Sequence, residues 1–228
     1  MPAPFRPAAI LCIGRNYPEH AAEMGGGVPD LVVFMKNPAC VVGDGDPIVI
    51  GPATQRNGPQ VDYEGELGVV IGRDCRDVDP TDVLRPESGV LRGFCAANDV
   101  SARWWQKKGG GGQFCRGKSF DTFCPLSVVA PLSMVGDPAT RSIITTLCSE
   151  EVQHGDIGSM SWSVPAIVAE LSRDTTLLAG TLILTGTPAG VGSARTPPRF
   201  LRDGDTVTVE IAGVGRVSNP VVQSPGTR

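Results

Sequence analysis

No apolar run in this 228-residue sequence approaches the roughly 18 residues needed to cross a bilayer, and its start, MPAPFRPAAILCIG, lacks the basic opening and long apolar core of a signal peptide. A cytoplasmic protein with no membrane partner is the default expectation. Cysteine supplies no framework either: the seven residues at 12, 40, 75, 95, 115, 124 and 148 are odd in number and include no CxxC pair, against a disulfide scaffold or a zinc ribbon. Basic residues do not cluster and the net charge is −4, so no nucleic-acid partner is expected. There is no internal repeat and no low-complexity tract apart from Gly109 to Gly112.

Glycine and proline, by contrast, are plentiful, with 29 and 20 residues spaced closely enough to leave few places for a long helix. Apolar, β-branched runs recur between them, which predicts a β-rich α+β chain with a few short helices. The most informative run is residues 61–72, VDYEGELGVVIG. Its apolar tail reads as a buried strand, and period-two alternation puts Asp62, Glu64 and Glu66 on one face, neighbours about 7 Å apart. Such acids are either a solvated strand end or the ligands of a divalent cation. Because they run straight into an apolar strand, a cation between them is the more economical way to keep them ionised.

Residues 8–14 read as a first strand leading into RNYPEHAAEMGGG, where Asn16 is placed to cap a short helix, Pro18 sits in its first turn and Gly25 ends it. His20 and Glu23 lie three apart, hence on one helical face, as a surface ion pair or a functional one. The following glycines suit a hinge, so residues 15–27 are expected to form a mobile lid. Residues 31–35 and 46–50 look like further short strands.

Residues 90–97 read as a second buried strand, ending in NDVSARWWQKK. Asp99 there is either the cap of a following helix or a third metal ligand, and with such a helix Arg103 and Gln106 share its face. Trp104 and Trp105 are expected to pack. Gly112 to Ser119 matches GxxxxGK[ST] letter for letter, the pattern of a phosphate-binding loop. That loop works only between a buried strand and a helix. Here a glycine loop precedes it and a proline-containing strand follows, so a nucleotide-binding protein is the lesser alternative. Lys118 stands out as a cation near the acids, or as an ordinary surface lysine. Residues 141–156 suggest a hairpin turning near His154-Gly155-Asp156, and Ser163 can cap a helix from Val164 to about Ser172. TLILTGTPAGVG is a strand breaking into a loop with the hydroxyls of Thr185 and Thr187, and TVTVEIAGVGRV is an alternating strand pair that closes the sheet.

Taken in order, GRNYPEHAAE, DYEGELGVVIG, NDVSAR, RGKSFDTFCP and LTGTPAGVG resemble the fumarylacetoacetate hydrolase family, over most of the chain from about Ile10 to Val217. The likeness is to its short, acylpyruvate hydrolase-like members. It implies a mixed β-sandwich or β-roll fold and a homodimer, with residues 1–50 contributing the first strand and lid and residues 51–228 the catalytic domain of one structural unit. It also implies Mg²⁺ or Mn²⁺ held at Glu64, Glu66 and Asp99, a water-activating dyad at His20 and Glu23, an oxyanion-stabilising Lys118, and substrate contacts from Arg103, Gln106 and Thr187. The implied reaction is hydrolysis of the C–C bond of a 2,4-dioxo acid, with isomerisation of a 2-hydroxyhepta-2,4-diene-1,7-dioate type acid or decarboxylation of oxaloacetate as the alternative. One fold and one metal site serve all three.

Overall fold

The computed structural model describes residues 5–26 and 30–225. Gly27, at the end of the expected lid, lies outside the described residues. The β-rich α+β architecture is as expected: two large sheets, two small two-stranded ones and a few short helices. Among the described residues no helix is long and apolar enough to cross a membrane.

The larger sheet has six strands in the order Ala130–Pro131, Leu91–Asn98, Gly65–Ile71, Leu182–Leu184, Ile10–Gly14 and Val32–Lys36. Every pairing is antiparallel except that of Leu182–Leu184 with Ile10–Gly14. The second sheet orders Glu150–Asp156, Ser142–Leu147, Thr206–Ile211, Gly215–Gln223 and Ile48–Ile50. Strands from the first fifty residues therefore sit in both sheets.

The central strand Gly65–Ile71 is buried at all seven positions, which accounts for its unbroken apolar run: a sheet covered on both faces has no reason to alternate polarity. Leu67, Val69 and Ile71 point into a core shared with Ile143, Val209, Ile211 and Val217 of the second sheet. Val70 faces the opposite core, with Cys95, Leu182 and Ile48. The helix Val164–Ser172 closes the first core with Val164, Ile167 and Val168, and Ser163 caps it by accepting from the Ala166 N–H at 3.4 Å.

Three expectations are corrected. The acidic stretch is two strands, Val61–Asp62 and Gly65–Ile71, because each pairs with a different partner. Residues 142–156 turn at Cys148 and Ser149, with φ of 49° and 72°, so His154 is an exposed strand residue opposite Ile144. Neither Cys nor Ser advertises that left-handed turn in sequence. Asn16 does not cap the Pro18–Glu23 helix, whose N-cap is Tyr17 with no side-chain bond. Its amide instead donates to the Thr185 carbonyl at 2.8 Å and accepts from the Trp162 N–H at 2.8 Å.

Candidate active site

The strand break at Tyr63 and Glu64 builds the floor of the site. Asn98 Oδ1 accepts from the Glu64 N–H at 3.0 Å, and the Asp99 N–H donates to the Glu64 carbonyl at 2.8 Å. These two bonds fold the end of Leu91–Asn98 back over the break. Asp99 thereby arrives beside Glu64 and Glu66, one carboxylate oxygen of each within 4.8 Å of the others, all three side chains buried. Gly65, between the two glutamates, lies so close to the second sheet that a Cβ there would stand 2.0 Å from Thr145 Oγ1. Asp62 takes a separate part: it accepts from the Gly192 and Ser193 N–H groups at 2.8 and 2.9 Å and from Arg103 Nε at 2.8 Å, tying the Thr187 loop to the floor.

Three buried cations face these acids. Lys118 Nζ lies 2.6 Å from Glu64 Oε2, 2.5 Å from Asp99 Oδ2 and 2.8 Å from Ser101 Oγ. Arg103 Nη1 donates to Glu64 Oε1 at 2.5 Å and to Gln106 Oε1 at 3.0 Å. Lys36 Nζ donates to Asp99 Oδ1 at 2.6 Å and to the Phe123 carbonyl at 2.7 Å. Burial alone would raise the Glu64 carboxyl, but Lys118 and Arg103 hold it well below the ordinary carboxylate range. Burial likewise disfavours charge on Lys118, and Asp99 and Glu64 more than offset it, leaving its pKa raised.

Glu66 tests whether the floor suits a metal. Its one side-chain hydrogen bond among the described residues comes from the Gly186 N–H at 2.7 Å, and no lysine or arginine there bonds to it. Burial, then Asp99 and Glu64, push its carboxyl far above the usual value. A carboxylate set one cation short, made wholly of hard oxygen donors, fits a divalent ion such as Mg²⁺ or Mn²⁺.

Above the floor stands the Pro18–Glu23 helix. His20 Nδ1 lies 3.1 Å from Glu23 Oε2, and Glu23 Oε1 accepts from the Gly190 N–H at 3.0 Å, which latches the helix to the Thr187 loop. Gln153 steadies the same loop by donating to Thr187 Oγ1 at 2.8 Å while accepting from the Gly65 N–H at 3.0 Å. The cavity enclosed is about 290 Å³, lined by His20, Glu64, Glu66, Arg103, Lys118 and Thr187 among others. Gln106 also lines it, so all nine residues singled out in the sequence converge here, with Asp99 beneath and Glu23 behind His20.

Arg103 and Gln106 arrive by a route other than the expected one. Their helix starts at Arg103 after the short strand Ser101–Ala102, so Asp99 caps nothing. The match to a phosphate loop fails on geometry: Phe114–Lys118 is a five-residue helix whose lysine is already held by Glu64 and Asp99. Lys36 and Gln153 are the residues that sequence reasoning missed. For Lys36 the signal was present, since alternation along Val32–Lys36 leaves Val33 and Met35 exposed and turns Lys36 inward with Phe34.

This geometry has counterparts. The family model described as fumarylacetoacetate (FAA) hydrolase C-terminal matches residues 9–222. The human mitochondrial oxaloacetate tautomerase FAHD2A is 39% identical over 219 residues, 95% of this chain and 67% of that protein. Among solved structures, 2-hydroxyhepta-2,4-diene-1,7-dioate isomerase from Mycobacterium marinum superposes with a TM-score of 0.81 at 38% identity, covering 97% of this chain and 77% of that one. The fumarylacetoacetate hydrolase of Exiguobacterium antarcticum does so with a TM-score of 0.85 at 40% identity, covering 97% and 78%. The chain belongs to the fumarylacetoacetate hydrolase family. Within it, the relatives include tautomerases and isomerases of 2-oxo or 2-hydroxy diacids.

Proposed function

We propose that this protein is a tautomerase or isomerase of a small 2-oxo acid, with oxaloacetate as the leading substrate and Mg²⁺ or Mn²⁺ held by Glu64, Glu66 and Asp99. The C–C hydrolysis implied by the sequence resemblance becomes the second reading, because the relatives that cover nearly the whole chain include an oxaloacetate tautomerase and a dienedioate isomerase. The observation that carries the proposal is His20, oriented by Glu23, in the same cavity as a floor of three carboxylates and Lys118.

Keto–enol exchange needs a base that moves a proton at C3 and a positive group at the C2 oxygen. His20 takes the C3 proton, and Glu23 fixes its ring. The C–H electron pair forms the C2–C3 double bond, and Lys118 stabilises the charge that collects on the C2 oxygen until that oxygen takes a proton from the imidazolium that His20 has become. A divalent ion, when bound, supplies Lewis-acid stabilisation for the same oxygen. Arg103, Gln106 and Thr187 hold the remaining substrate oxygens. A cavity of about 290 Å³ sits at the lower end of the range for ligand clefts, which suits a substrate of a few carbons.

The test follows the enol absorbance of oxaloacetate with Mg²⁺ or Mn²⁺ present. His20→Ala should slow tautomerisation by about 100-fold or more, the worth of a positioned general base. A parent protein that cleaves acetylpyruvate faster than it tautomerises oxaloacetate would reinstate the hydrolase.

A further inference from the structure

Arg15 joins the first strand to the Pro18–Glu23 helix with φ of +57°, a left-handed backbone that disfavours any residue with a Cβ. Such an outlier, when a fold retains it, is a pointer to function. Arg15 lines the cavity and is exposed, and its Nη1 lies 3.2 Å from the place a Cβ on Gly26 would take. A side chain at position 26 would crowd the guanidinium where it lies beside the lid.

The charge of Arg15 is also uncommitted. Lys36, Arg103 and Lys118 are each paired with a carboxylate of the floor. Arg15 has no such partner among the described residues. The three floor carboxylates and the buried Asp62 beside them, with these three cations, leave a formal charge of −1. A divalent ion turns that into +1, and the carboxylate beside the 2-oxo group of a substrate brings it to zero. A second substrate carboxylate then finds no counter-charge in the floor.

The geometry points to Arg15 as the residue that receives the distal carboxylate of a dicarboxylic 2-oxo acid, and so selects diacids over monoacids. This rests on the 2-oxo acid reading above. The planar guanidinium suits the role because it binds a carboxylate through two parallel hydrogen bonds. Lys107, an exposed cation on the same cavity, is the competing group.

The experiment compares kcat/KM for C3 hydrogen–deuterium exchange in oxaloacetate and in 2-oxobutanoate, which has the same chain length with a methyl in place of the distal carboxylate. In Arg15→Gly and Arg15→Asn, both compatible with positive φ, the diacid-to-monoacid ratio should fall about 10- to 100-fold, the worth of hydrogen bonds between charged groups. Arg15→Lys should restore part of it. An unchanged ratio, with both rates falling together, would mean a purely structural role and overturn the proposal, as would a selective loss in Lys107→Met but not in the Arg15 variants. Failure of the wider reading shows separately, as no exchange of any 2-oxo acid by the parent. Calorimetry with Mg²⁺ then decides Arg15: a preference for 2-oxoglutarate over 2-oxopentanoate that disappears in Arg15→Gly supports it, and no preference in the parent refutes it.

Discussion

Beside the Thr206–Ile211 strand, Asp205 accepts from Arg199 Nη1 and Nη2 at 3.0 and 2.6 Å, from the Arg202 N–H at 2.8 Å and from Cys148 Sγ at 3.3 Å. At the cavity floor Glu66, hidden more deeply from water, accepts a single N–H from Gly186 among the described residues. Burial raises both carboxyls. For Asp205 the bonds from Arg199 and Arg202 outweigh it and the pKa falls; for Glu66 the neighbouring Asp99 and Glu64 add to it and the pKa climbs. An acid saturated by its own chain is spent on the fold, whereas one left short of partners keeps lone pairs that a ligand could use.

That contrast can be broken experimentally, beginning with the largest effect. Lys36→Met removes the buried partner of Asp99 Oδ1 without giving water access to the carboxylate, so urea denaturation should show a loss of about 3 kcal/mol. Removing charge from the two floor glutamates should have opposite consequences. Glu64→Gln takes one partner from Lys118 and Arg103 and should cost about 2 kcal/mol. Glu66→Gln relieves repulsion and should stabilise the metal-free protein by about 1 kcal/mol. Both should abolish Mn²⁺ binding in calorimetry, and equal destabilisation by both would dissolve the distinction drawn between them.

The smallest effect is expected from Asp205→Asn, about 0.5 kcal/mol at neutral pH for a partly screened ion pair. Its folded pKa lies below the unfolded one, so its contribution is complete above about pH 4 and is lost as pH falls through the folded value. The melting temperatures of parent and variant should therefore converge in acid. Glu66 has the reverse sign: its folded pKa lies above the unfolded one, so its cost to stability shrinks as pH falls toward the unfolded carboxyl range, and the advantage of Glu66→Gln should shrink with it. A parent and Asp205→Asn pair that stayed equally far apart down to pH 2 would show that Asp205 acts by packing alone.

Much of the site was legible because its parts are local. Glu64 and Glu66 two apart before an apolar run, His20 and Glu23 three apart on a short helix, and the Ser163 cap follow from backbone periods and terminal hydrogen bonding, which a few neighbouring residues decide. Asn16 and the turn at Cys148 and Ser149 were misread because their partners or backbone angles depend on distant packing. The break after Asp62 was hidden for the same reason: alternation in a sequence cannot say that one strand pairs with Ser101–Ala102 and the next with Leu91–Asn98.

The sequence by itself therefore determined which side chains were available for chemistry and, through five ordered motifs, the family fold that would gather them. Only the tertiary structure decided their electrostatic roles. Lys118 reaches Glu64 across 54 residues and Lys36 reaches Asp99 across 63, while among the described residues no cation hydrogen-bonds to Glu66. Whether a buried carboxyl is held ionised or pushed toward its neutral form depends on the charges within a few ångströms of it, and those come from parts of the chain that no local pattern connects.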